Sequence, residues 1–136
     1  MSTRYLWIRD VDRPADLLGA DDRDRPVLSM NFEAFAAAPA DNWPRALVKL
    51  LETAGLATFG TDCWVGSHAV VQDGAGPFIT VVATGGGPTD LYQNGAAYER
   101  LSAWVVVRAA TYAAAEARAL AAWRALKAVT NATIAT

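Results

Sequence analysis

The sequence predicts an α+β fold, a mostly antiparallel sheet of four to five strands with two helices packed on one face. Three observations predict it. The stretch AYERLSAWVVVRAATYAAAEARALAAWRAL, from Ala97, runs a β-branched strand directly into an amphipathic helix. A second helical pattern, with Leu47, Leu50, Leu51 and Ala54 at helical spacing, stops at Gly55. The order of elements, β, β, α, β, β, β, α, contains long hairpins and no alternating βαβ repeat, which favours antiparallel pairing with the helices gathered on one side. The 136 residues suit one domain with one core.

Taken in order, Tyr5–Arg9 (YLWIR) and Pro26–Glu33 (PVLSMNFE) are strand candidates; in the second, Leu28, Met30 and Phe32 alternate with Val27, Ser29 and Asn31. Together residues 1–33 form a hairpin. The charged segment between the strands, holding Pro14 and Gly19, is its long exposed loop, whose Leu17 and Leu18 tuck back or meet a neighbour. Its Asp21, Asp22 and Asp24 lack the glycine and closing glutamate of a calcium loop. Residues 34–40, containing FAAAPA, are compositionally bland and read as a linker. The first helix starts at Asp41 or Asn42, with Pro44 tolerated in its first turn. Cys63–Val65 is a short strand or extended arm, residues 66–76 are loop-rich, and Phe78–Thr84 (FITVVAT) is a strong strand that Gly85, Gly86, Gly87 and Pro88 end as a flexible turn. The loop continues through Tyr92 and Asn94-Gly95. The central strand spans Leu101–Ala109, and Thr111 caps the helix after it. On that helix Tyr112, Ala115, Ala119, Ala122, Trp123, Leu126 and Val129 share the sheet-facing side. With Trp123 as its bulk, Trp123→Ala is expected to cost about 3–5 kcal/mol.

A balance of 12 basic and 14 acidic residues, intermixed, offers no broad basic face, so no specific nucleic acid is expected as partner. Arg4, Arg9 and Asp10 interrupt the opening apolar residues, and no uncharged run approaches a membrane span, so the chain reads as cytosolic. The lone Cys63 cannot form an intrachain disulfide. Asp62, Cys63 and His68 lack the further ligand a zinc site takes, and Cys63 with His68 makes a poor nucleophile and base. The triple glycine lacks the lysine, hydroxyl and helix start of a phosphate loop. No enzymatic activity, metal or cofactor is expected.

GPFITVVATGG, the long stretch from Ala97, and NATI resemble the tail terminator, or tail completion, proteins of long-tailed bacteriophages, often labelled minor capsid proteins. The order differs. In that family a segment like YLWIRDVDRPADLLGADDRDRPVLSMNFE closes the chain, whereas here it comes first, and residues 41–136 resemble the family's N-terminal part. The resemblance therefore implies a circularly permuted order, with residues 34–40 bridging what are termini in the family and with Met1 and Thr136 close together at one rim. It also implies a ring, usually of six subunits, that caps the tail tube, halts its growth and joins it to the head connector. Such a protein belongs to the virion and is assembled in the host cytoplasm.

Five tryptophans exceed what one small core needs, which points to apolar surface buried between subunits. The interface candidates are Trp7, Arg9, Trp64, Gly85, Gly86, Gly87, Tyr92, Arg100, Trp104 and Arg108, drawn from strand edges and loops. The alternative is a small-molecule-binding or regulatory α+β module in which the Gly85–Gly95 loop closes on its ligand.

Overall fold

A computed structural model describes residues 2–10, 16–20, 25–37, 42–66, 74–86, 90–91 and 97–135. Among them the elements run β1 (Ser2–Asp10), β2 (Asp16–Ala20), β3 (Pro26–Ala37), α1 (Trp43–Thr53), β4 (Cys63–Val65), β5 (Phe78–Gly86), β6 (Asp90–Leu91), β7 (Ala97–Arg108), α2 (Tyr112–Lys127) and β8 (Thr130–Ala135). The fold is α+β. One sheet carries the order β4-β5-β7-β3-β1-β8, with β2 paired to β3 and β6 to β7. Its described pairings are antiparallel except that of β4 with β5.

The β-branched run Val105–Val107 puts β7 at the centre, between β5 and β3, where residues of both faces are buried. Along β7 the period of two is strict: Leu101, Ala103, Val105 and Val107 join the core cluster with Leu28, Met30, Phe32 and Ala34 of β3. Both helices cover this same side. α2 lies on β3, β1 and β7, and α1 packs against α2 and against β4, β5 and β8. The Tyr5 ring is fully buried in this layer and its hydroxyl donates to the Trp43 carbonyl at 2.5 Å.

The helix ends follow local chemistry. Pro44 occupies the first turn of α1, and Asn42 before it takes a left-handed conformation with φ 47°. At the other end Gly55 has φ +74°, its N–H donates to Glu52 O, and Leu56 N–H reaches back to Leu51 O, the two bonds of a Schellman stop. Thr111 Oγ1 accepts from Ala114 N–H at 3.2 Å and starts α2.

Four sequence expectations change. Residues 34–37 are not linker but the end of β3, with Phe35 and Ala36 buried, because pairing with β7 on one side and β1 on the other holds this alanine-rich stretch extended. Residues 38–41 lie outside the described residues. The supposed loop between the first two strands contains β2, which pairs with Ser29, Leu28, Val27 and Pro26. Gly85 and Gly86 do not turn the chain; they extend β5 opposite Ser102 and Leu101 through a register shift after Ala83. Finally, Tyr112 is exposed and Trp123 only half-buried, with Lys127 Nζ 4.3 Å from the Trp123 ring centroid. Three turns apart, these two rings lie on one flank of α2, with Trp123 packed against the margin of the core, while Ala115, Ala119, Ala122 and Leu126 form the buried stripe. Small side chains there let the helix approach closely, which leaves the bulky rings at the margin. No helix among the described residues is long and apolar enough to cross a membrane.

Candidate functional site

From Arg100 to Arg108 the even-numbered residues of β7 point away from the helices, and the candidate site is built on them. Trp104 sits mid-strand, between Val82 of β5 and Asn31 of β3. It is 48% exposed, whereas Val82 and Val106 beside it are 9% exposed. Arg100 lies opposite Phe35, and Arg9 opposite Glu33.

Two guanidinium groups converge on one ring. The Arg9 Cζ is 5.4 Å and the Arg100 Cζ 5.5 Å from the Phe35 centroid. Arg9 is oriented by Glu33, whose Oε2 accepts from Nε at 2.9 Å and from Nη2 at 2.5 Å. At the other end of the face, Arg108 lies 4.9 Å from the Phe78 ring, which also meets Trp64 at 5.7 Å between centroids and 55° between planes. A guanidinium stacked on a ring is already partly desolvated and holds its shape, so it can be covered by a partner at less cost than an extended lysine. This surface therefore combines aromatic and arginine groups with one projecting indole, the composition of a protein interface core.

No protein-family model, curated protein or solved structure matches the chain. The site therefore rests on its own geometry.

Of the sequence candidates, Arg9, Trp64, Arg100, Trp104 and Arg108 are brought together on this face. Trp7 is paired with Phe35 through its backbone, and its side chain lies outside the described residues. Gly85, with φ +102°, and Gly86 belong to the β5 strand that borders the face, rather than to a ligand loop. Gly87 and Tyr92 lie outside the described residues, as does His68. Sequence reasoning missed Phe35, Phe78 and Glu33, the groups on which the arginines are seated. The signal for Phe35 was present: the alternation Ser29, Asn31, Glu33 continues one step to Phe35, past the point where the alanines suggested a linker.

A second surface feature lies on the helix side. A groove of about 450 Å³ runs between the α1 C-terminal turn and α2, lined by Leu56, Pro77, Ala114, Ala117, Ala121 and Arg118 among others. The Arg118 Nη1 donates to the Leu56 carbonyl and holds one wall. On α1, Arg45 stacks 4.0 Å from the centroid of the exposed Phe59 ring. The Glu52 carboxyl is held below its ordinary pKa by the Phe59 N–H it accepts and by Arg45. Cys63 is fully buried, and burial, reinforced by the nearby Asp62 charge, pushes its thiol up to about 12, the opposite of an activated nucleophile. Among the described residues no three His, Cys, Asp or Glu side chains are grouped to hold a metal ion.

Proposed function

We propose that this chain is a structural virion-assembly subunit of the tail terminator type, which packs into a closed ring, caps the tail tube and joins it to the head connector. The observation that carries the reading is the face opposite the helices, where Trp104 projects from a floor of arginines stacked on Phe35 and Phe78. Such a face acts by shape and charge complementarity, and its mechanism is steric: one side of the ring meets the tube and the other the connector. The resemblance of residues 41–136 followed by residues 1–33 to the tail terminator pattern supports it. So does the course of the chain, since β1 lies beside β8 in the sheet, where a segment following Ile134 would be placed.

The partners are further copies of the chain, six in the expected ring, with the tail tube protein and the head connector protein above and below. Electron microscopy of the purified protein tests the reading. Rings with a central opening are expected; isolated particles of single-chain size at high concentration would contradict it and favour the small-molecule-binding module.

A further inference from the structure

We infer that the ring closes strand to strand, the free edge of β8 in one subunit pairing in parallel with residues 82–86 of β5 in the next, so that one sheet runs around the assembly. This rests on the ring reading above and specifies its contact. The sheet ends at β8 on one side, while on the other the three-residue β4 covers β5 only at Ile79, Thr80 and Val81. Among the described residues no backbone group pairs with the outer edge of β8, or with this edge of β5 beyond Val81. Unpaired N–H and C=O groups along an extended strand are completed by another extended backbone, so the edges themselves state what covers them.

In each strand the residues on the helix side share one hydrogen-bonding edge. On β5, Ile79 N–H donates to Asp62 O at 2.8 Å and Val81 O accepts from Gly66 N–H at 3.1 Å, so the next residue in the alternation, Ala83, turns its N–H and C=O to the open edge. On β1 the helix-side Ile8 N–H donates to Val129 O at 3.2 Å, on the β8 side. The helix-side Ile134, and Ala132 opposite Tyr5, therefore face β1 with their backbone, and Thr133 turns its own outward. Ala83 and Thr133 are both exposed.

The two edges suit each other. Edge strands that stay single carry charges, lysine above all, or proline; TNATIA on β8 and VATGG on β5 hold neither. Four antiparallel pairings lead from β5 to β8, so the two strands run in the same direction, and copies turned about a common axis set them side by side in parallel, as β4 already lies beside β5. Different edges on opposite sides of one subunit make a heterologous contact, which closes into a ring; β8 pairing with its own copy would stop at a dimer. Closure needs a curved sheet. Register shifts after Ala83 in β5 and after Tyr5 in β1 supply bends near both edges. Inside the subunit a Cβ at Gly85 would meet nothing within 4 Å, so this bare stretch serves no contact of its own chain and leaves room for a neighbouring backbone.

Sedimentation velocity on the full chain and two variants tests this. Ala83→Pro and Thr133→Pro each put a proline ring in place of an outward N–H at an exposed edge position, where the subunit loses no hydrogen bond of its own. Each variant is expected to unfold cooperatively, and its self-association to weaken on the order of thirty-fold or more. An equimolar mixture is expected to form a dimer of one copy of each and nothing larger, because Ala83→Pro keeps its β8 edge and Thr133→Pro keeps its β5 edge. Should a proline variant lose the cooperative transition, Ala83→Lys and Thr133→Lys put a charge on the same edges and are expected to repeat the pattern. An edge variant that folds and assembles like wild type, or a mixture that stays monomeric, would overturn the inference while leaving a wild-type ring in place. A monomeric wild-type chain would remove the ring reading itself.

Discussion

Ser2 lies directly opposite Ala135 in the antiparallel pair formed by β1 and β8. Joining the chain there would leave Thr136 and Met1 as a two-residue connection, the length of the commonest β-hairpin loop. The geometry that a reordered chain requires is thus built into the sheet, and Tyr5–Arg9 shares that sheet with Val105. A variant that joins β8 to β1 through Asn-Gly in place of Thr136 and Met1, and that opens the chain within residues 38–40, is expected to unfold cooperatively. Its melting temperature should lie within about 5 °C of wild type, a difference of about 1 kcal/mol. Loss of a cooperative transition would show that the present connection is needed for the core.

Stability is expected to fall on the alkaline side through Cys63. The thiol ionises near 9 when unfolded but only at about 12 in the buried site, so above pH 9 the unfolded chain has lost a proton that the folded chain keeps. Folding stability therefore declines as pH rises, by about 1.4 kcal/mol per unit once the unfolded thiol is ionised. Tyr5, raised from 10 by burial, adds to the decline only above its own unfolded value. Chemical denaturation between pH 8.5 and 10 should show a shallower decline for Cys63→Ala than for wild type, whatever the two absolute stabilities; equal slopes would contradict the assignment.

Along α2 the contact with the sheet is made by alanines. Ala119 is fully buried and Ala113 exposed. Ala119→Leu is expected to overpack and cost about 1–3 kcal/mol, and Ala113→Leu to stay within about 0.5 kcal/mol of wild type. Thermal melts of the two variants, compared side by side, check the stated orientation of the helix; equal effects would mean that its buried stripe is elsewhere.

The glycines differ in the same testable way. A Cβ at Gly76 would stand 2.9 Å from both Arg108 O and Phe78 N, whereas one at Gly85 meets nothing within 4 Å. Both have positive φ, so alanine at either is strained by about 1 kcal/mol, but only Gly76→Ala also pushes backbone against backbone. Gly76→Ala should be clearly the more destabilising in urea unfolding.

Much of this architecture was legible because local chemistry and tertiary contacts agree. The Gly55 stop and the Thr111 cap are hydrogen-bonding events confined to one turn, and the Val105–Val107 run has a strand signal that its central position reinforces. Where they disagree, the sequence misleads. The alanines around Phe35 are poor strand formers, and the stretch is held extended by neighbours distant in sequence. Gly85 and Gly86 resemble a turn but sit in a bulged strand. Arg100 and Arg108 stood out as candidates, yet which rings they stack on depends on a register that spacing alone does not fix.

The central claim is that copies of this chain associate into a closed ring, and native mass spectrometry of the full chain tests it most directly. A closed ring of six gives a single dominant species at six times the mass of the 136-residue chain. A spectrum dominated by the single chain at high protein concentration would contradict it.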